Sequence, residues 1–175
     1  PELVTNIVMR YVNQFLEKSN DEWRSKDTAI YLFSSLATKG SVTNKGVTST
    51  NVLVDVVRFF SENVASYLVG GASSTIHPIL RTDAIKYIYV FRNQLTKDQL
   101  LETFPLLFAH LQDSNPVVYT YTAITIEKLF SMTTFTEDHS PVYHKGDIQS
   151  SLHDLLSNLF RLIQSKPENL ENEFL

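Results

Sequence analysis

The stretch from Thr96 to Met132, TKDQLLETFPLLFAHLQDSNPVVYTYTAITIEKLFSM, decides the fold. Thr96-Lys97-Asp98-Gln99 spells a capping box, in which a threonine hydroxyl and a glutamine three residues on satisfy each other's free backbone N–H groups and start a helix. Leu100, Leu101, Phe104, Phe108 and Leu111 then fall on one helical face. Pro105 inside that helix lacks an N–H and is expected to bend it. Asp113-Ser114-Asn115-Pro116 makes a turn in which Asn115 caps and Pro116 occupies the first position of a second helix. That helix buries Tyr119, Ala123, Ile126 and Phe130. Two amphipathic helices joined by a tight turn therefore form one unit.

The unit recurs. Asp27-Thr28-Ala29-Ile30, Thr82-Asp83-Ala84-Ile85 and Tyr121-Thr122-Ala123-Ile124 each place a small residue before isoleucine early in a helix, where it passes close to a partner. Ala84 and Ala123 lie 39 residues apart, close to the period of about 40 to 47 of HEAT arrays. Ala29 and Ala84 lie 55 apart, and the polar insert from Gly40 to Asn51 takes up most of the excess. A fixed period means stacked units rather than an up-and-down bundle, the competing architecture for seven helices. The expected fold is all-α: a HEAT-repeat superhelix, a right-handed solenoid of antiparallel helix pairs. Residues 1–175 form one array, with repeats near 1–39, 52–95 and 96–133, a partial repeat at 148–175, and inserts at 40–51 and 133–147.

Outward from the central unit, Leu80, Ala84, Tyr87, Ile88, Phe91 and Leu95 mark a helix after His77-Pro78. Leu53, Val56, Val57, Phe60, Val64 and Leu68 mark the one before it, stopped by Gly70-Gly71. Val4, Ile7, Val8, Tyr11, Val12 and Phe15 form the first helix, which Ser19-Asn20-Asp21 ends. Trp23, Ile30, Phe33 and Ala37 face inward from the second. The segment from Gly40 to Asn51 shows no apolar periodicity and is expected to be structureless. Ile148, Leu152, Leu155, Leu156, Leu159 and Ile163 define a seventh helix before Lys166-Pro167, and Glu168 to Leu175 begin an eighth.

Composition narrows the function. The chain of 175 residues is 43% hydrophobic, enough to bury a core and unlike a disordered segment. It has no cysteine, hence no disulfide and no thiolate chemistry, as fits a reducing compartment. A net charge of -4 and a pI near 5.7 argue against nucleic acid. No apolar run approaches the ~20 residues of a bilayer-spanning helix, so no membrane partner is expected. The start Pro1-Glu2-Leu3-Val4 has no initiator methionine and leads at once into a helix. Both ends are expected to be cuts through a longer chain, and the piece to self-associate through them.

The strings WRSKDTAIYLFSSLATKG, TNKGVTSTN, LRTDAIKYIYVFRNQLTKDQL, VVYTYTAITIEKLF and ENEFL resemble the importin-beta superfamily, and within it the receptors that re-export importin-alpha. Trp23-Arg24-Ser25-Lys26-Asp27-Thr28-Ala29 carries the Trp-Arg-x-basic-acidic-x-Ala pattern of second helices in that superfamily. The likeness covers nearly the whole chain and is weakest from Thr133 through Ser151. It implies the middle of a receptor of about twenty HEAT repeats that wraps importin-alpha together with GTP-bound Ran, passes nuclear pore proteins and shuttles between nucleus and cytoplasm. Second helices would line the cargo-facing side, and an insert in the eighth repeat, placed here at Gly40–Asn51, would couple Ran, cargo and curvature. The alternative is a HEAT scaffold of another assembly system.

Candidate contacts follow. Thr43, Asn44, Lys45, Thr48, Ser49 and Asn51 in the insert are short, polar and rich in donors, suited to meeting another protein. Arg24, Lys26, Arg81, Lys86 and Arg92 on second helices would face the groove and steer an oppositely charged partner. Asp27 and Asp83 would pair along a ladder between adjacent repeats. His139 and His144 with Glu137, Asp138 and Asp147 form the one cluster of histidine and acid, but His-x4-His across a Ser-Pro turn aligns no ligand set, so no metal is expected. No nucleophile elbow, phosphate loop or distinguished carboxylate pair points to catalysis, and no cofactor or enzyme activity is expected.

Overall fold

A computed structural model of the chain describes residues 2–19, 22–42 and 45–165. The described elements are mainly helical: α1 (Glu2–Leu16), α2 (Trp23–Ala37), α3 (Val56–Phe59), α4 (Pro78–Phe91), α5 (Lys97–His110), α6 (Pro116–Phe130), α7 (Lys145–Ile148) and α8 (Leu152–Ser165). Strands β1 (Thr38–Val42) and β2 (Gly46–Thr50) form an antiparallel hairpin. The chain divides into two compact units, residues 1–67 with 76–94, and residues 68–75 with 95–175. The expected stops at Asn20-Asp21 and Lys166-Pro167, and the eighth helix from Glu168 to Leu175, fall outside the described residues.

In the first unit α1 packs on α2, and α2 on α4. Ala29 and Ala84 are fully buried, as close helix approach requires. The core between them is aromatic. Phe33 stacks on Phe59 with ring centroids 3.6 Å apart, and Tyr87 packs against Phe59, Phe60 and Phe91. The Tyr87 hydroxyl donates to the Val56 carbonyl at 2.9 Å, so its polar end is satisfied. Burial holds this phenol far above its ordinary value, and it stays neutral.

The third helix differs from the uniform stripe expected of it. Asn51 Oδ1 accepts from the Leu53 N–H at 3.1 Å, a turn that leaves Leu53 outside the helix and half exposed. Asp55 then caps α3, accepting from the N–H groups of Val57 and Arg58. After one turn the helix widens into a π turn (Phe60–Val64) and tightens into a 3-10 turn (Ala65–Leu68). Gly70 and Gly71 follow with φ of +92° and +51°, where any side chain would be strained.

In the second unit the expected signals appear where the residues put them. Both hydrogen bonds of the Thr96/Gln99 capping box form, and Asn115 caps α6 with Pro116 at its start. The α5 helix runs unbroken through Pro105. Phe104 packs against Phe108, Phe130 and Tyr143. His110 is fully buried, with Nε2 3.0 Å from the Leu68 carbonyl. Asn158 on α8 donates to the Phe108 carbonyl at 2.9 Å while Gln112 donates to the Asn158 carbonyl at 2.6 Å, a reciprocal tie between α5 and α8.

Two apolar stripes are only partly covered. On α1, Val12 is buried, but Val4, Ile7 and Tyr11 are exposed. On α8, Leu155 and Leu162 are buried while Leu156 and Phe160 are exposed, and Ile148 belongs to the separate short helix α7. Each helix packs one flank within its unit and carries apolar residues beyond that contact.

Candidate functional site

The segment from Gly40 to Asn51, expected to be structureless, folds as the β1–β2 hairpin. Thr38 pairs with Thr50, Gly40 with Ser49 and Ser41 with Val47, with irregular register on either side of Gly40. Valine and threonine supply the β-branched residues that favour extended backbone. The strands alternate too poorly for periodicity to reveal them, and tertiary contacts complete the hairpin. At its base the Asn51 N–H donates to the Ala37 carbonyl at 2.8 Å. Val47 is almost fully buried. The end of α4 grips the second strand: Gln94 Nε2 donates to the Val47 carbonyl at 2.9 Å, and Asn93 Nδ2 to the carbonyls of Lys45 and Val47.

Gly46 makes this approach possible. Its φ is +77°, and a Cβ there would lie 2.6 Å from Arg92 Nη1 and 2.8 Å from the Val90 carbonyl oxygen. Nothing in the sequence singles out Asn93 and Gln94, because a polar residue at a helix end carries no mark of what it will bind.

The six insert candidates separate. Lys45, Thr48 and Ser49 are exposed on the hairpin, and their side chains are not used in gripping it. Thr43 and Asn44 lie outside the described residues. Asn51 requires a correction: it is buried, and its amide nitrogen reaches Thr5 Oγ1 at 3.2 Å and the Leu36 carbonyl at 3.4 Å. It joins α1, α2 and the hairpin base, and is not a contact residue. Asn51→Ala is expected to destabilise the chain by about 1–2 kcal/mol by removing these buried bonds. Urea denaturation of the two proteins checks this.

The five basic candidates separate likewise. Arg24 and Lys86 are exposed, Arg24 lying over the Trp23 ring at 4.4 Å while Trp23 stacks on His77 at 4.2 Å. Lys26, Arg81 and Arg92 are buried, which corrects their expected groove-facing position. Lys26 donates to the Leu16 carbonyl and Arg92 to the Tyr89 carbonyl, so these cations serve helix C-terminal ends, where the backbone carries partial negative charge.

Around the second insert, the anticipated cluster is dispersed. Asp147 is held below the usual carboxylate range by the His144 N–H at 2.8 Å and by Lys97 at 2.6 Å. Asp138 is likewise held down, first by the Thr136 hydroxyl. His139 sits in the left-handed region with φ of 46°. Tyr143, buried against Phe104, anchors the segment. Among the described residues no group of three or more histidine, aspartate and glutamate side chains is placed to hold a metal ion. None of their helices is long and apolar enough to cross a membrane.

Comparison with known proteins gives this arrangement a context. Residues 1–126 match the profile of the Cse1 family. The chain is 48% identical over 181 residues to the importin alpha re-exporter of Saccharomyces cerevisiae, covering 99% of this chain and 19% of that protein. It is 38% identical over 176 residues to human exportin-2, covering 98% of this chain and 18% of that one. Among solved structures it is similar to that of the exportin Cse1 in its cargo-free, cytoplasmic state, with a TM-score of 0.70 and 42% identity over 94% of this chain and 16% of that one. The chain thus spans about a fifth of the length of these relatives, and its helix pairs are HEAT repeats like those of the solved exportin.

Proposed function

Because the chain belongs to the Cse1 family, we propose that it is a segment of a nuclear export receptor that carries importin-alpha from nucleus to cytoplasm with GTP-bound Ran. The observation carrying this reading is 48% identity to the yeast importin alpha re-exporter across 99% of the chain. A receptor of this kind acts by shape and by differential affinity for its partners, not by covalent chemistry. It would meet nuclear pore proteins on the way and shuttle between the two compartments.

Within the segment we assign partner contact to Lys45, Thr48 and Ser49 on the exposed side of the hairpin and, from their sequence alone, to Thr43 and Asn44, with a steering role for Arg24 and Lys86. Hairpin contact is supported by its construction. Its backbone is held by Asn93 and Gln94, which leaves the exposed side chains of Lys45, Thr48 and Ser49 to engage another surface with less backbone ordering at binding.

The experiment uses the full-length receptor containing this segment. Immobilised importin-alpha is expected to retain it in the presence of GTP-loaded Ran and to release it without Ran. Combined alanine substitution of Lys45, Thr48 and Ser49 is expected to weaken retention by roughly fivefold or more, about 1 kcal/mol. Failure of the unsubstituted receptor to hold importin-alpha with GTP-loaded Ran overturns the export assignment and favours a scaffold role. Full retention by the triple variant overturns only the hairpin contact.

A further inference from the structure

Between α2 and α4 lies a groove of about 530 Å3, walled by Ile30, Tyr31, Tyr87 and Val90, with Asp27 on one helix and Asp83 on the other. Their carboxyl groups lie within hydrogen-bonding reach of each other across it. An ionised carboxylate only accepts hydrogen bonds, so a bond between two carboxyls exists only while one of them holds a proton. Asp83 Oδ2 is also buried with no hydrogen-bond partner, so the site does not supply the donors a full negative charge would need.

We propose that Asp83 keeps a proton which it donates to Asp27, and that the two residues form a pH-sensitive latch joining α2 to α4. Protonated, the pair is a short bridge across the helix contact. Doubly ionised, the same pair becomes a like-charge repulsion at the same place.

The groups facing the pair decide where the change falls. Burial and, after it, the charge of Asp27 push Asp83 up to about 7, against a smaller opposing effect of Lys86 on α4. Tyr31 enters from α2 and Tyr87 from α4, and Tyr67 approaches from the 3-10 turn. Burial and then the charge of Asp83 hold Tyr67 above its ordinary value, and burial holds Tyr87 up, so neither phenol ionises as the pair titrates. In the unfolded chain Asp83 has its ordinary value of 3.8. Between that value and about 7 the folded chain binds more protons than the unfolded one. Its stability therefore falls as pH rises through this window and levels off above it.

The test is the urea midpoint of the 175-residue chain measured from about pH 4.5 to 8.5, for the unaltered protein and for Asp83→Asn. The amide of the variant donates to Asp27 at every pH, so the difference between the two curves isolates the Asp83 proton from all other titrations. The unaltered chain is expected to lose ground against Asp83→Asn as pH rises to about 7, and to be the less stable of the two at pH 8. Parallel curves overturn the latch. Carboxyl-carbon NMR of the unaltered chain gives an independent reading that does not depend on the variant folding. An Asp83 resonance that titrates near its ordinary value of 3.8 instead of near 7 also overturns it.

Discussion

Phe33→Ala is expected to remove about 3–5 kcal/mol of unfolding free energy, the usual cost of emptying a buried aromatic site. Phe33 is 1% exposed and lies face to face with Phe59, and both rings pack on Tyr87. The side chains that would have to close the resulting cavity are fixed at their other edges. Tyr87 is tied by its hydroxyl to the Val56 carbonyl and meets Phe60 and Phe91. Collapse into the cavity would break that bond or open a second gap, which places the expected loss toward the upper end. Urea denaturation followed by far-ultraviolet circular dichroism measures it. A loss under about 1 kcal/mol would mean that the cluster repacks freely.

Gly46→Ala is expected to cost about 3 kcal/mol, by two additive routes. The left-handed backbone of Gly46 disfavours a Cβ by about 1–2 kcal/mol. The new methyl group also meets Arg92 Nη1 and the Val90 carbonyl. Moving the almost fully buried Arg92 guanidinium strains its bond to the Tyr89 carbonyl, and an unsatisfied buried donor adds about 1–3 kcal/mol. If the hairpin instead lifts away from α4, stability falls less and the loss appears in dynamics. Amide hydrogen exchange at Val47 through Thr50 would then accelerate. Unchanged stability together with unchanged exchange would contradict the close approach.

The inner helices were legible in sequence because their apolar residues have partners on the chain. In α4, Leu80, Ala84, Tyr87, Ile88 and Phe91 are all buried, as their spacing predicts. The capping signals at Thr96 and Asn115 are local chemistry and are equally visible. Periodicity identifies an apolar side of a helix but not whether something covers it, hence the exposure of Val4, Ile7 and Tyr11 on α1. The hairpin is not legible in the sequence because Asn93 and Gln94, far along the chain, complete it.

Charge was the least legible property. A basic residue on a helix suggests solvent, yet Lys26 and Arg92 turn inward to backbone carbonyls, and Arg81 is buried as well. Asp27 and Asp83 could be assigned to adjacent helices from the repeat, but the approach of their carboxyl groups within one groove depends on a sub-residue detail of packing. Lys45, Thr48 and Ser49 stand out in the sequence because the insert interrupts the repeat, a signal independent of secondary structure, and the structure leaves all three exposed.

The π turn at Phe60–Val64 bears on the history of the chain. An α-helix closes its hydrogen bonds four residues apart and a π turn five, so this turn holds one residue more than a regular helix would need. Such a surplus is what a single-codon insertion leaves behind when the flanking helix keeps its buried faces in place. Relatives are therefore expected to differ in length by one residue here, with the shorter forms carrying an ordinary helix. Counting residues between repeats measures descent as well as geometry, and the two drift apart wherever a helix absorbs an extra residue without changing what it packs against.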